Sequence, residues 1–330
     1  MFLILFAIII SCKKKDNQKQ PISDWTIYTY ANSTLTLGYA INTLFVDKSV
    51  TLWVSSDYLH RYDGNTWSKF DISNTGIFIF WVTDGLKTNS DINWFSSKAG
   101  LIKLQNNSWS LYNINNSSLP SSSINGIAID PQNNLWLATD EGVVKYDGGS
   151  NWITYDESNT PMPCRYARFI KSTSDGIIWV GVVLNTVVCP GALTGCLARY
   201  KNGNWSVFTS SNSNLPEGNM STIEIDKNGN IWLAIERNLL KYNGTDFDNY
   251  IPSNSIIHSD CLIQEIAFDK QNNLWLATDE GVFKFNGSIW KNFTSQNSAL
   301  PEDNVSSLAI DNNNTKWFAT SDKVTKYTGD

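Results

Sequence analysis

Short runs in which apolar and polar residues alternate recur along this chain in a fixed order. Ile124 to Asp130 is one such run, Pro131 to Asn134 is a polar break, and Leu135 to Thr139 is apolar again. Asp140-Glu141-Gly142 leads into Val143 to Tyr146, and Asp147 to Ser150 leads into Trp152 to Tyr155. Runs of period two separated by Gly, Asn and Asp predict four short antiparallel strands joined by tight turns. The stretch Gln132 to Val143, QNNLWLATDEGV, returns unchanged as Gln271 to Val282. Sliding its core along the chain finds seven copies, centred on Trp53, Trp94, Trp136, Trp179, Trp232, Trp275 and Trp317. Four-stranded units of about 40 to 50 residues, repeated in series, predict the blades of a propeller. The expected fold is all-β: a seven-bladed β-propeller with four antiparallel strands per blade.

The seven tryptophans are spaced by 41, 42, 43, 53, 43 and 42 residues, so only the fourth blade departs, through an insertion at Asn185 to Gly195. A second aromatic pair marks each fourth strand: Trp67/Phe70, Trp109/Tyr112, Trp152/Tyr155, Trp205/Phe208, Phe247/Tyr250 and Trp290/Phe293. The seventh copy ends at Tyr327 to Asp330 without that strand, and Asp24 to Tyr28 supplies its pattern at the other end of the chain. The N-terminal strand is therefore expected to complete the last blade and close the ring, which removes a free sheet edge. Of the 14 tryptophans, Trp81 alone stands outside the two template columns. The columns read as inter-blade packing, with carbohydrate stacking as the alternative, and Trp81 is the tryptophan to test for ligand contact.

The N-terminus changes the picture of where the propeller works. Phe2 to Ile10 is an apolar run too short to span a bilayer, as in the core of a secretory signal. Ile9-Ile10-Ser11-Cys12 resembles a bacterial lipobox, which implies acylation of Cys12, with a plain signal peptide or an N-terminal anchor helix as the alternative. The expected organisation is a lipoprotein signal peptide over 1–12, a polar tether over 13–23 reaching at most about 35 Å, and the propeller over 24–330. Four further cysteines then lie in a disulfide-permissive compartment. Cys189 and Cys196 flank the short loop CPGALTGC and are the expected pair, with free buried thiols or a Cys164 partner as alternatives. Their spacing does not fit a zinc knuckle, and no metal is expected. With 42% hydrophobic and 13% aromatic residues the chain is globular, and a net charge of −6 without a basic cluster after residue 15 argues against nucleic acid.

The template D-x-x-N-N-L-W-L-A-T-D-E-G-V-x-K-Y-D-G, as in Asp130 to Gly148, resembles the two-component regulator propeller repeat. That family is best known in the periplasmic sensors of hybrid histidine kinases in Bacteroidetes, whose propellers sense glycan fragments. No kinase or DNA-binding segment is expected beyond Asp330. The resemblance thus implies a stand-alone, lipid-anchored relative, a sensing or binding fold without output machinery, in the outer membrane and on its periplasmic side.

Candidate chemistry is sparse. Turns between second and third strands share a face with the connections between blades, and propeller ligands sit on that face. Counting eleven residues back from each core tryptophan gives Asn42, Thr83, Asn125, Arg168, Ser221, Gln264 and Ser306, all polar, each preceded by an apolar residue. Of these Arg168 and Gln264 are long enough to reach into a channel mouth, and Asn42 and Asn125 stand beside them. The alternative is that the ring bonds blade to blade. Arg165, Tyr166, Asp260 and Trp81 join the candidate ligand residues from the connections. The recurrent Asp47, Asp130, Asp226, Asp269 and Asp311 fit turn chemistry, not calcium loops, because one acid per blade does not converge.

The chain has only two histidines, His60 and His258, neither at a repeated position. Lyases of the streptogramin type resemble this fold and rely on channel histidines. A glycosidase-like pair would have to come from Glu265, Asp260, Glu224 and Asp84, one acid having its pKa raised. The preferred expectation is a non-catalytic, monomeric module without cofactor, attached to the membrane only through its lipid, that binds a glycan or an envelope protein on the insertion-bearing face. A propeller lyase or hydrolase and a purely structural interaction platform are the alternatives.

Overall fold

The computed structural model describes residues 22–36, 38–183, 195–250 and 256–329. The expected signal peptide, Cys12, nearly all of the tether, and the insertion through residue 194 with Cys189 lie outside the described residues. Seven four-stranded antiparallel sheets make up the chain. It is a seven-bladed β-propeller, and the third blade illustrates it with strands Ile124–Ile129, Leu135–Thr139, Gly142–Tyr146 and Trp152–Tyr155. The last blade combines Val305–Ile310, Lys316–Thr320 and Lys323–Tyr327 with the N-terminal Trp25–Tyr28. Trp25 pairs with Tyr327 and Tyr28 with Val324, so the two chain ends share one sheet.

Why the tryptophan recurs is visible in the core between blades. All seven column tryptophans are buried, Trp275 fully and none more than 4% exposed. That closes the stacking alternative for this column. In five blades the indole Nε1 donates to an aspartate six residues earlier: Trp53 to Asp47 at 3.2 Å, Trp136 to Asp130 at 3.0 Å, Trp232 to Asp226 at 3.2 Å, Trp275 to Asp269 at 3.0 Å and Trp317 to Asp311 at 3.3 Å. The other carboxylate oxygen of Asp130 accepts the backbone N–H of Gln132 and Asn134, which closes the turn below. The aspartates therefore do turn chemistry and also satisfy a buried donor, which in an apolar core would otherwise cost about 1–3 kcal/mol.

A second device sets the connections between blades. Asp71, Asn113, Asp156, Thr209 and Thr294 each begin a tight loop in which a residue three positions on, always asparagine, accepts the first residue's N–H through its side-chain oxygen. The same asparagines donate back to a strand-four carbonyl, as Asn116 does to Leu111 at 2.8 Å. At Asp71 the loop tightens into the one-turn helix Ile72–Thr75, which the alternation pattern had not suggested.

Gly142 shows what the repeated glycine after Asp-Glu is for. Its φ is +117°, and a Cβ there would lie 2.5 Å from the Tyr155 carbonyl oxygen. Gly100 and Gly281 meet Tyr112 and Phe293 in the same way. We expect Gly142→Ala to destabilise the protein by about 1–3 kcal/mol, through the left-handed backbone and the carbonyl clash. A shifted urea midpoint at unchanged slope would register it, and an unchanged midpoint would contradict it.

The expected Cys189–Cys196 bridge is corrected by the structure. Cys196 is a free thiol in strand Cys196–Lys201, 1% exposed, and burial pushes it up to about 12. Cys164 is the cysteine in disulfide linkage, and Cys261 is a second free buried thiol. The alternation of the sheet explains the reversal: position 196 pairs with Val182 inside the blade and its side chain packs among Val180, Ala167 and Ala198, facing away from solvent.

Candidate functional site

The inner strand of each blade carries the site, and a register slip aims its side chains. In six blades the pairing of first and second strands skips one residue. The residues skipped are Thr83, Asn125, Arg168, Ser221, Gln264 and Ser306, which are the ring positions found by counting back from the tryptophans. A bulge bends a strand and re-aims the extra side chain. All six, with Asn42, line a central channel of about 770 Å³.

Ring side chains serve both roles foreseen for them. Thr83 donates to Ile124 O at 2.9 Å, Asn125 to Ala167 O at 2.8 Å, Ser221 to Ile263 O at 2.7 Å and Ser306 to Ile41 O at 3.5 Å. Each bond runs to the residue that precedes the ring position of the next blade. Asn42 turns instead to Ser56 O at 3.1 Å. Arg168 and Gln264 make no side-chain hydrogen bond among the described residues. The two long members are thus the ones the ring leaves unused.

One step further into the channel the chemistry changes sign. Asp84 and Glu265 follow ring positions directly, and Lys171 and Glu224 come three residues after theirs. Lys171 Nζ meets Glu224 Oε2 at 2.8 Å, with the two side chains still 37% and 26% exposed to the lumen. Glu265 accepts from Ser307 Oγ at 2.6 Å and from the Leu308 N–H at 2.7 Å. Burial, opposed by those bonds and by Lys171, pushes the Glu265 carboxyl up to about 7. Burial also raises Asp84, whose carboxylate accepts from the Gly85 N–H at 2.7 Å. Lys171 is held protonated: burial works against its charge, and Glu224 with Asp84 outweigh it. Three acids and one base therefore line the channel below the ring, with Glu224 paired to Lys171 and the Glu265 and Asp84 carboxyls raised by burial. Lys171 was missed by sequence reasoning, because a single lysine on one inner strand carries no periodic signal.

At the mouth the charge is positive. Lys98, on the turn between the second and third strands of blade two, donates to Ser123 Oγ at 3.0 Å and to Asn125 Oδ1. Asn125 in turn donates to Asp140 at 2.9 Å. Burial lowers the Lys98 pKa, Asp140 opposes this, and Arg168 adds to it, so the two cations feel each other. Trp81 lies on the same mouth, its carbonyl accepting the Lys98 N–H at 3.2 Å and its ring 50% exposed. Its φ of +47° is a left-handed conformation that a bulky side chain seldom adopts. Lys98 too escaped sequence reasoning, since other blades carry Asp-Glu or unrelated residues at that turn.

Arg165, Tyr166 and Asp260 do not join the channel. Arg165 pairs with Glu141 at 2.9 Å and Glu157 at 3.3 Å, and Tyr166 packs against the cores of blades four and five. Asp260 is exposed and sits 4.0 Å from Arg237. All three stand on the connections, where chain direction carries them away from the axis. His60 is buried between Thr34 and Ser56, and burial lowers it to about 4. His258 is exposed beside Glu280, and neither histidine lines the channel.

Residues 118–141, spanning the first two strands of blade three, match the family described as two component regulator propeller. The chain carries that repeat. Among solved structures this repeat propeller is similar to the extracellular domain of a putative hybrid two component system from B. thetaiotaomicron. The TM-score is 0.75 at 18% identity, covering 93% of this chain and 41% of that one. It is also similar to PorZ of Porphyromonas gingivalis, described as an essential surface component of the type-IX secretion system. Here the TM-score is 0.72 at 17% identity, covering 86% of this chain and 46% of that one. Virginiamycin B lyase from Staphylococcus aureus shares the fold with TM-score 0.70 and 14% identity, over 93% of this chain and 99% of that one. The chain spans less than half the length of the regulator and PorZ structures. Comparison with curated proteins gives no match.

Proposed function

We propose that this repeat propeller is a non-catalytic ligand-binding module of the cell envelope, held through a lipid on Cys12, that takes a glycan at the mouth of its central channel. The observation that carries the reading is Arg168, a guanidinium at the mouth of an open channel with no hydrogen bond or ion pair among the described residues. Its exposed donors are open to an incoming group. Trp81 supports it as an exposed ring in a strained backbone on the same rim. The concave shape with convergent polar groups favours a discrete ligand over a flat platform.

The test is calorimetric titration of the purified full-length protein against a panel of oligosaccharides. Arg168→Ala is expected to weaken a hit about tenfold to a hundredfold, as loss of a charge-assisted hydrogen bond does, while the melting temperature stays put. A hit untouched by Arg168→Ala and Trp81→Ala would move the site elsewhere, and silence across the panel would remove the glycan.

A partner protein is the second reading, and one observation favours it. Of the large apolar side chains that are exposed, Tyr39, Phe78, Phe80, Trp81, Ile256 and Leu262 all lie in connections between blades. Phe78, Phe80 and Trp81 stand ring to ring, at 5.7 Å and 6.2 Å, and exposed apolar surface gathered in this way marks an interaction site. Catalysis has Glu265, a carboxyl poised near neutrality, in its favour. Against it, Glu265 is engaged as an acceptor for the neighbouring blade, and Asp84 is held by backbone N–H groups.

A further inference from the structure

Charge is segregated by depth in this channel. Lys98 and Arg168 stand at the rim, with Asp140 as the acid nearest Lys98. Asp84, Glu224 and Glu265 lie below, with Lys171 as their only base among the described residues. Asn125 ties the rim together: it accepts from Lys98 and donates both to Asp140 and to the carbonyl of Ala167, the residue before Arg168. Lys98 is therefore fixed in place, while Arg168 stands beside it with its donors uncommitted among the described residues. Strand rise is about 3.3 Å per residue. Glu265 thus sits roughly one step below the ring and Lys171 with Glu224 roughly three steps below it.

We propose that the mouth is an anion site, which takes a carboxylate borne by an acidic saccharide between Arg168 and Lys98 with the sugar face against Trp81, and that the luminal acids form a negative floor that keeps the ligand at the rim. This rests on the mouth being the binding site, and it adds the ligand's charge class. A guanidinium presents two parallel N–H donors that match a carboxylate, and an indole offers the flat apolar face against which a pyranose ring packs. The floor repels an anion, so an acidic ligand gains nothing by moving deeper. A neutral oligosaccharide would leave the two mutually repelling rim cations uncompensated.

The floor also makes the site sensitive to pH. Glu265 faces Ser307 and the Leu308 N–H from the next blade, and Asp84 and Lys171 across the lumen, where Lys171 is paired with Glu224. As pH falls through about 7 Glu265 gains a proton and the floor loses one negative charge. An anion at the rim is then repelled less, so affinity for it rises towards acid. At a separation of order 10 Å and an intermediate dielectric the effect is roughly tenfold. The ligand's own carboxylate stays ionised over this range.

The experiment titrates the full-length protein with trigalacturonic and triglucuronic acid, each beside its methyl ester, between pH 6 and pH 8, with acetate as a small-anion control. The expected result is binding of an acid and not of its ester, loss of at least tenfold in Arg168→Gln, and tighter binding at pH 6 than at pH 8 that Glu265→Gln flattens. Lys98→Gln is a second rim variant should Arg168→Gln fold poorly. An ester that binds as well as its acid overturns the anion site and leaves the glycan reading standing. Acetate that competes fully at millimolar concentration makes this a general anion site and overturns the saccharide assignment. Absence of binding by every acid and ester overturns the anion site, while a hit with a neutral oligosaccharide in the wider panel would still uphold the glycan reading.

Discussion

Trp136→Ala is expected to lower the unfolding free energy by about 3–5 kcal/mol, the usual range for emptying a large aromatic site in a core. Its ring is buried between blades three and four, 5.7 Å from Tyr155, 5.0 Å from Tyr200 and 5.3 Å beneath the Lys145 ammonium. Alanine leaves a cavity that two rigid sheets cannot collapse to fill. It also takes a donor from Asp130 Oδ2, which otherwise keeps only the Asn134 side chain at 2.8 Å. Trp136→Phe separates the two effects, because it keeps most of the packing and loses only the indole N–H; its cost should be nearer 1–2 kcal/mol. Equal costs for the two substitutions, measured by urea denaturation, would mean that the hydrogen bond carries the column and packing does not.

Deleting Trp25–Tyr28 is expected to be more damaging still. That strand is the fourth of the last blade, with Trp25 stacked on Tyr327 at 4.4 Å and packed against Phe293 and Phe318. Tyr28 reaches the first blade, where its hydroxyl donates to the Tyr62 hydroxyl at 3.1 Å. Removal strips a backbone ladder from Lys323–Tyr327 and uncovers the aromatic cluster between the first and last blades. An exposed, unpaired strand edge of this kind pairs with other chains. The shortened protein should aggregate, or elute as oligomers with its cooperative melting transition lost, since a domain of this kind has only about 5–15 kcal/mol to lose. A monomer with an unchanged transition would show that the ring is held elsewhere. Trp25→Ala, expected to cost about 3–5 kcal/mol, keeps the backbone pairing and so reports the packing share alone.

The sites that respond most to binding chemistry are not those that hold the ring. Arg168 is a bulge residue with an exposed side chain, so replacing it leaves the ladder of strand Ala167–Ser172 intact. Glu265 is different. It satisfies a backbone N–H of the next blade, and glutamine there keeps an acceptor oxygen while removing the charge. That is why the glutamine variant, and not alanine, isolates the electrostatic effect.

The sequence by itself determined the architecture of this protein. One blade cannot bury both of its faces, so the same tryptophan, turn aspartate and glycine return at nearly fixed spacing, and the return is visible without coordinates. The missing strand at Tyr327 and the spare strand at Trp25 were complementary patterns, and backbone hydrogen bonds left at an edge have few other places to go. The ring of polar positions was countable for the same reason, since each lies at a fixed distance from its tryptophan. What the tertiary structure decided was everything that depends on crossing from one blade to another. Periodicity gives a residue's place within its blade, and the channel brings together residues from different blades with no common spacing. Lys171 and Glu224 come from neighbouring blades, and Lys98 stands beside Arg168 from two blades away. Arg165, Tyr166 and Asp260 were near the site in sequence, and the direction of the connections took them off its axis. Which cysteine is bridged was settled in the same way, because strand alternation turned Cys196 into the core while Cys164 took part in the disulfide.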